Sequence, residues 1–323
     1  VRGAELLARA DVVVYDRLSA PGLLDLAPAG AERISVGKGP QGPSTSQDEI
    51  NRLLVELGRG DATVVRLKGG DPFVFARGGE ELEACLADGV EVEVVPGITS
   101  AIAVPAYAGI PVTRRFASTS FTVVTGHEDP AKPGQGVDWE AIARVGGTIV
   151  VLMGVAHVVE ICDRLQAGGL APDTPAAAVR WGTRPDQLTV RATLATLADH
   201  ELAAPSVIVV GEVAAAELGW FERRPLFGRS VLVPRPAGRS SGLAGRLAAQ
   251  GARVVELPTI AEADPSDGGA ALAALVADWP IGAPHWVVVT SPTAATRLLD
   301  AVGDVRRLAG SGLAAIGPGT AAV

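Results

Sequence analysis

The chain has 323 residues, 48% of them hydrophobic and only 4% aromatic, so it can bury several cores and these must be aliphatic. A net charge of −8 at pH 7 argues against a general nucleic-acid binder, which carries a basic excess, yet leaves room for a local cationic site for an anionic small molecule. The two cysteines, Cys85 and Cys162, lie far apart without ligand spacing, no apolar run reaches membrane-spanning length, and no signal peptide opens the chain. A cytoplasmic α/β protein with no disulfide framework and no metal is expected.

Short β-branched runs alternate with amphipathic stretches along the chain, the pattern of α/β units on parallel-rich sheets. Arg2–Ala10 reads as a helix already under way. Strands are expected at Val12–Tyr15, Arg33–Val36, Thr63–Leu67 and Glu91–Val95. The clearest helix is Ser46–Leu57: Ser46 and Glu49 have capping-box spacing, and Ile50, Leu53, Leu54 and Leu57 share a face. After a break near Ile110–Thr113, strands are expected at Phe121–Thr125, Thr148–Leu152, Ala176–Arg180, Gln187–Ala192 and Val207–Val210, with Gly126–Gly136 as a Gly/Pro-rich loop.

Phe221–Gly228 reads as a linker. A fresh pattern follows it: strand Ser230–Val233, helix Ser240–Gln250, strands Arg253–Leu257 and Trp286–Thr290, helix Pro292–Val302 and strand Leu313–Ile316. The expected organisation is one lobe over 1–112, a second over 113–220, a linker over 221–228 and a partial α/β domain over 229–323. Both ends read as cut, since no strand precedes the first helix and Val323 falls where a helix should continue.

The most informative stretch runs from Arg66 to Glu81, RLKGGDPFVFARGGEE. An apolar strand enters Gly69–Gly70, whose missing Cβ atoms let backbone approach a ligand; Asp71 places a carboxylate and Pro72 fixes the turn. A bare GGDP would be an ordinary strand-to-helix turn. With Phe73-Val74-Phe75 and the helix start at Arg77–Glu81 attached, the match is too long for that.

This stretch resembles the tetrapyrrole methylase family, most closely its uroporphyrinogen-III C-methyltransferases. Further matches are Val13–Leu18, Val36–Lys38, Ser46–Asn51, Val95–Ala101, Ile110–Thr113, Thr125–His127, Leu152–Gly154, Gly182–Thr183 and Pro205–Glu212, specific in their order and spacing together. The resemblance implies two α/β lobes with S-adenosylmethionine in the cleft between them, usually as a homodimer, acting on a small tetrapyrrole with neither nucleic acid nor membrane as partner. It is not the Rossmann type of methyltransferase: Gly317–Ala322 only imitates the glycine fingerprint and reads as an ordinary turn.

Carried over residue by residue, the cofactor contacts are Gly69, Gly70, Asp71, Val74, Thr99, Ser100, Met153 and Gly182. Thr99 and Ser100 stand at a helix start, where free N–H groups are available. Met153, the only methionine, offers a polarisable contact, or else fills a core gap. Asp16 is implied as proton acceptor and Lys38 as donor; beside Arg17, Asp16 could equally form a surface ion pair. Arg66, Arg77, Arg114 and Arg115 are expected to bind the substrate's carboxylates, with His127 a weaker candidate. The implied reaction is methylation of uroporphyrinogen III at C2 and C7.

The chain departs from the family pattern in lacking the opening strand and its Gly-Pro-Gly-Asp loop, in reading Gly37-Lys38-Gly39 for Gly-Lys-Arg, in Ala76 for a usual Gly, and in Arg114 where His is common.

Beyond the linker, Gly228–Pro236, Gly251–Thr259, Trp286–Ser291 and Ala315–Ala321 resemble uroporphyrinogen-III synthase, with Ser291 and Thr320 as substrate-contact candidates, Ser291 alternatively a helix cap, and Thr293 where Asn is common. Well under half of such a synthase is covered, so no synthase activity is expected of this segment alone. Three other readings stay open: the intact protein serving mainly as that lyase, a later precorrin methyltransferase, and a non-catalytic tetrapyrrole-binding module.

Overall fold

The computed structural model describes residues 1–19, 21–37, 45–127, 136–236, 242–261, 263–279 and 285–323. Lys38 lies outside the described residues. The chain forms two compact units, one of Val1–Leu232 with Ser241–Val255 and one of Val233–Ser240 with Glu256–Val323.

The first unit opens with helix α1 (Arg2–Leu7), strand β1 (Val12–Tyr15), helix α2 (Pro21–Leu24), strand β2 (Glu32–Ser35), helix α3 (Gln47–Gly58), strand β3 (Val64–Leu67) and helices α4 (Gly78–Ala87) and α5 (Ser100–Tyr107). The three strands form a parallel sheet in the order β2-β1-β3. β1 is apolar at every position because both its faces are covered. Val12 and Val14 meet Ile50, Leu54 and Cys85 of α3 and α4, whereas Val13 meets Leu7 and Ala27 on the other side. Strand alternation therefore sends Asp16, next in the series 12, 14, 16, toward the α3/α4 side.

α3 begins as the sequence indicates. The Ser46 hydroxyl accepts from the Glu49 N–H, and the Glu49 carboxylate accepts in return from the Ser46 N–H at 2.7 Å. Ser46→Ala is expected to cost about 1 kcal/mol of stability, read from a denaturant midpoint. The Ser46 backbone and hydroxyl hydrogen bonds hold the Glu49 carboxyl below its ordinary value. That contribution is complete above the unfolded-state value and is lost as pH falls through the folded one, so the stability gap between wild type and Ser46→Ala should narrow in acid.

Glu91–Val95, expected as a strand, is not one. A strand requires a hydrogen-bonded neighbour, and among the described residues the sheet ends at β3. A cavity of about 570 Å³ lies along β3 and is bounded by Val90–Pro96, by Leu6 and Leu7 of α1 and by Leu82 of α4. What fastens the segment instead is Arg2, whose guanidinium grips the Glu93 carboxylate through two hydrogen bonds of 2.7 and 2.6 Å.

The second sheet holds β4 (Phe121–Thr125), β5 (Thr148–Leu152), β6 (Pro175–Arg180), β7 (Leu188–Thr193) and β8 (Ser206–Val210), with helices α6 (Trp139–Val145) and α7 (Val158–Ala167) between them in sequence. Its order is β4-β5-β8-β6-β7. It is mixed rather than parallel-rich, because β8 runs antiparallel to both β5 and β6. β4, β5 and β6 consequently point the same way, and their carboxyl ends share one edge. Ile149 and Val151 face the core containing Trp139, Ile161 and Leu165; Val150 and Leu152 face Ala101 and Val104 of α5 and Ala108 just after it. α5 is thus the helix that covers the second sheet while its N-terminus adjoins the loops of the first.

Phe221–Gly228, read above as a linker, contains packed residues. Phe221 is buried, with ring centroids 4.8 Å from Tyr107 and 5.5 Å from Phe227, and the Trp220 indole donates to the Ala106 carbonyl at 3.0 Å. Strand β9 (Ser230–Pro236), helix α8 (Gly242–Ala249) and strand β10 (Arg253–Ile260) follow, β9 pairing with β10.

The second unit also contains α9 (Ala270–Ala277), β11 (His285–Val289), α10 (Pro292–Val302), β12 (Ser311–Ala315) and α11 (Pro318–Ala321), with β11 and β12 parallel. The expected turn at Gly317–Ala322 is this short helix, since Pro318 sits where helix entry needs no N–H. Among the described residues no helix is long and apolar enough to cross a membrane.

Candidate active site

The strand ends that sequence reading singled out converge around α5. Gly70, with φ +75°, lies so close to the chain ahead of α5 that a Cβ on it would sit 3.6 Å from the Ser100 nitrogen and the Thr99 Cα. At Gly97 the approach is tighter: an added Cβ would come within 2.0 Å of the Gly70 carbonyl oxygen. Asp71 staples the two loops together. Its Oδ1 accepts from the Phe73 N–H and its Oδ2 from the Gly97 N–H, both at 2.9 Å. The Thr99 hydroxyl caps α5 by accepting from the Ala101 N–H at 3.3 Å, and the Ile102 and Ala103 N–H groups donate to the Thr99 carbonyl at 3.0 Å.

One turn along α5, about 6 Å on, Val104 meets the second sheet's loops. A Cβ on Gly182 would fall 2.4 Å from Val104 Cγ1, so only glycine lets the β6–β7 loop lie against the helix. Met153 leaves the end of β5 on the same sheet edge and is 51% exposed, which rules out the gap-filling alternative. Gly70, Thr99, Ser100 and Gly182 therefore gather about one helix, with Met153 two strands away from Gly182 on the shared edge.

Among the described residues, the non-glycine positions with positive φ are Phe75, Arg77, Phe116, Met153, Trp181 and Thr183; Met153, Trp181 and Thr183 follow the ends of β5 and β6 on the shared edge. Such conformations cost of order 1–3 kcal/mol each and persist where a loop is held to a defined shape.

The cations differ in availability. Arg114 and Arg115 are exposed, in a loop pinned by a backbone bridge from Arg114 to Ser118; Arg115 lies 5.0 Å over the Phe116 ring, itself 92% exposed. Arg77 is exposed and paired with Glu80 at 2.8 and 2.6 Å, which raises its pKa. Arg66 is largely buried, and its donors are met by the Val14 and Leu67 carbonyls, Asp16 and Glu81. His127 is exposed, its N–H donating to Thr125 Oγ1. Gly37 lies against the Arg17 backbone, where a Cβ would meet the nitrogen at 2.4 Å.

Three residues escaped the sequence reading. Glu81 is buried, and it is ion-paired at 2.8 Å with Lys68, which is largely covered. Arg180, at the end of β6, has an Nε that is buried with no hydrogen-bond partner among the described residues. A signal existed for Glu81, which stands four residues before buried Cys85 on the core face of α4. In the other unit, Ser291 caps α10 by accepting from the Ala294 N–H at 3.1 Å, and Thr320 lies within α11.

Residues 1–198 match the tetrapyrrole (corrin/porphyrin) methylases, and residues 241–323 match uroporphyrinogen-III synthase HemD. An S-adenosyl-L-methionine-dependent uroporphyrinogen III methyltransferase of Methanosarcina barkeri is 50% identical over 217 residues, 66% of this chain and 85% of that protein. A uroporphyrinogen-III C-methyltransferase of Bacillus subtilis is 41% identical over 263 residues, 80% of this chain and 54% of that protein. Against that relative and similar ones, the chain spans about half the relative's length. The crystal structure of uroporphyrin-III C-methyl transferase from Thermus thermophilus, complexed with S-adenyl homocysteine, superposes with a TM-score of 0.57 at 41% identity, covering 66% of this chain and 90% of that one. Glycine-lined loops converging on α5, and the match over residues 1–198, lead to one assignment: the chain belongs to the tetrapyrrole methylase family.

Proposed function

We propose that this chain transfers methyl groups from S-adenosylmethionine to C2 and C7 of uroporphyrinogen III, giving precorrin-2. The observation that carries the reading is the gathering of Gly70, Thr99, Ser100 and Gly182 about α5, where the two glycines keep the backbone open to an amino-acid moiety. Gly69, Gly70, Asp71 and Val74 would hold the methyl donor from one side, Thr99 and Ser100 from the helix start, and Met153 and Gly182 from the second sheet. When bound, S-adenosylmethionine supplies an electrophilic sulfonium methyl. The chain's own task is proximity and orientation. Arg77, Arg114 and Arg115 orient the substrate by its carboxylates, as planar guanidinium groups suit. The new C–C bond takes its electron pair from the pyrrole ring, the S–CH₃ pair stays on sulfur, and Asp16 accepts the proton that the ring sheds. Lys38 is assigned the complementary donor role.

The lobes of the methyltransferase are assigned to 1–112 and 113–220 and the synthase-like part to 229–323, with Ser291 and Thr320 as its substrate contacts. The working unit is proposed to be a cytoplasmic homodimer. Incubation with methyl-labelled S-adenosylmethionine and uroporphyrinogen III should yield a dimethylated product. Binding of S-adenosylhomocysteine without turnover would instead leave a tetrapyrrole-binding module, and closure of hydroxymethylbilane without methyl transfer would leave the lyase.

A further inference from the structure

Behind Asp16 stands a charge network that the reaction as described does not use. Register pairs Val14 with Arg66, and alternation along β3 puts Val64, Arg66 and Lys68 on the face that β1 shares with Asp16. Both cations therefore meet Asp16 from one side. Arg66 Nη2 donates to Asp16 Oδ1 at 2.7 Å, and Lys68 Nζ lies 3.7 Å from Asp16 Oδ2. Across from them, Glu81 comes down from the first turn of α4. Its Oε1 alone accepts from Lys68 Nζ at 2.8 Å, from Arg66 Nη2 at 3.1 Å and Nε at 3.3 Å, and from Gln47 Nε2 at 3.3 Å.

Burial is graded across this quartet. The side chains of Glu81, Lys68 and Arg66 are 6%, 9% and 13% exposed, while that of Asp16 is 31% exposed. Two cations and two anions balance, so the buried part is paired throughout, and Asp16 is the end that opens outward. The remaining Arg66 donors go to the Val14 and Leu67 carbonyls, so each N–H of the guanidinium has a place and none is left for a substrate carboxylate.

We propose that Glu81 and Lys68 are positioning residues for methyl transfer: the buried Glu81 carboxylate locks Arg66 and Lys68, and these in turn hold the Asp16 carboxylate in place, with its open side outward to take the substrate's proton. The proposal rests on the reading of Asp16 as proton acceptor. Arg66, expected from the sequence to bind substrate, is the link between Glu81 and Asp16 instead.

Glu81→Gln alone strands a buried cation and can fail to fold, so the decisive variant is the double Lys68→Met/Glu81→Gln, which removes one charge of each sign and leaves the Asp16–Arg66 pair neutral. Methyl transfer to uroporphyrinogen III is measured with S-adenosylhomocysteine affinity and thermal unfolding as companions, and Asp16→Asn is run beside it. Positioning predicts that the folded double variant loses kcat by about tenfold or more while KM and S-adenosylhomocysteine affinity stay within about threefold. A role in stability alone would lower the melting temperature and leave kcat of the folded protein unchanged, which overturns the proposal. If Asp16→Asn is inactive and the double variant keeps its kcat, positioning by Glu81 falls and the proton-acceptor reading stands. If Asp16→Asn keeps its kcat, the proton-acceptor reading falls and takes the proposal with it.

Discussion

Replacing Gly97 by alanine is expected to weaken S-adenosylhomocysteine binding by about tenfold or more and to destabilise the fold by about 1–3 kcal/mol, the usual cost of forcing a methyl group into filled space. The added Cβ would stand 2.0 Å from the Gly70 carbonyl oxygen and 3.3 Å from the Asp71 Cα. Backbone, not a flexible side-chain end, occupies that space, so the loops carrying Gly70 and Thr99 must part. Parting them breaks the Gly97 N–H bond to Asp71 Oδ2, which ties the two loops together. It also moves the start of α5 relative to Gly70, which is the spacing a ligand between them would read. Isothermal titration with S-adenosylhomocysteine, beside a denaturant midpoint, separates the two effects. Gly79→Ala is the control: nothing lies within 4 Å of a Cβ there, and it should leave binding unchanged. Equal affinity in Gly97→Ala and wild type would mean that the Gly70–Thr99 junction does not form the cofactor cradle.

The fold was legible where local pattern and burial agree. β4 and β5 fall at the residues the sequence marks: β5 is a β-branched run buried at every position, and β4 pairs with it in parallel register. α3 was legible from its cap and its apolar face. Glu91–Val95 has the same β-branched composition and failed, because strand formation depends on a neighbour that composition does not report. The mixed second sheet was hidden for a related reason: β8 is apolar on both faces whichever way it runs, so direction leaves no mark on its residues.

At the site, Gly70 and Gly182 were singled out in the sequence and Gly97 was not. Gly70 has a left-handed backbone, and a Cβ on Gly182 would meet Val104, whereas the crowding at Gly97 comes from a chain segment 27 residues away, the Gly70 carbonyl. Charged residues were less legible. Arg66, Arg77, Arg114 and Arg115 are the same type in sequence, yet Arg66 is saturated internally while Arg114 and Arg115 are exposed. What separates them is what stands opposite, a long-range property: Glu81 is 15 residues from Arg66 and Asp16 is 50.

Asp16→Asn is expected to carry the largest loss of activity, about 10²–10⁴-fold in kcat, the range set by removing a positioned base. The side chain keeps its shape and can still accept from Arg66 Nη2, so the loop after β1 should stay in place. What it loses is the capacity to take up a proton. Glu81 still anchors Arg66 and Lys68, so the excess positive charge falls at the solvent-open end of the quartet, where water can meet it. Cofactor affinity should hold within about twofold, because Asp16 follows β1 and is not in the loops that carry Gly70 and Gly182. The useful measurement is a single turnover with labelled S-adenosylmethionine, in which methyl transfer and substrate binding are followed separately. A drop confined to the chemical step assigns proton removal to Asp16. A rise in KM with kcat intact would instead make Asp16 a substrate-binding group, and undiminished turnover would leave its carboxylate as no more than the outer partner of Arg66.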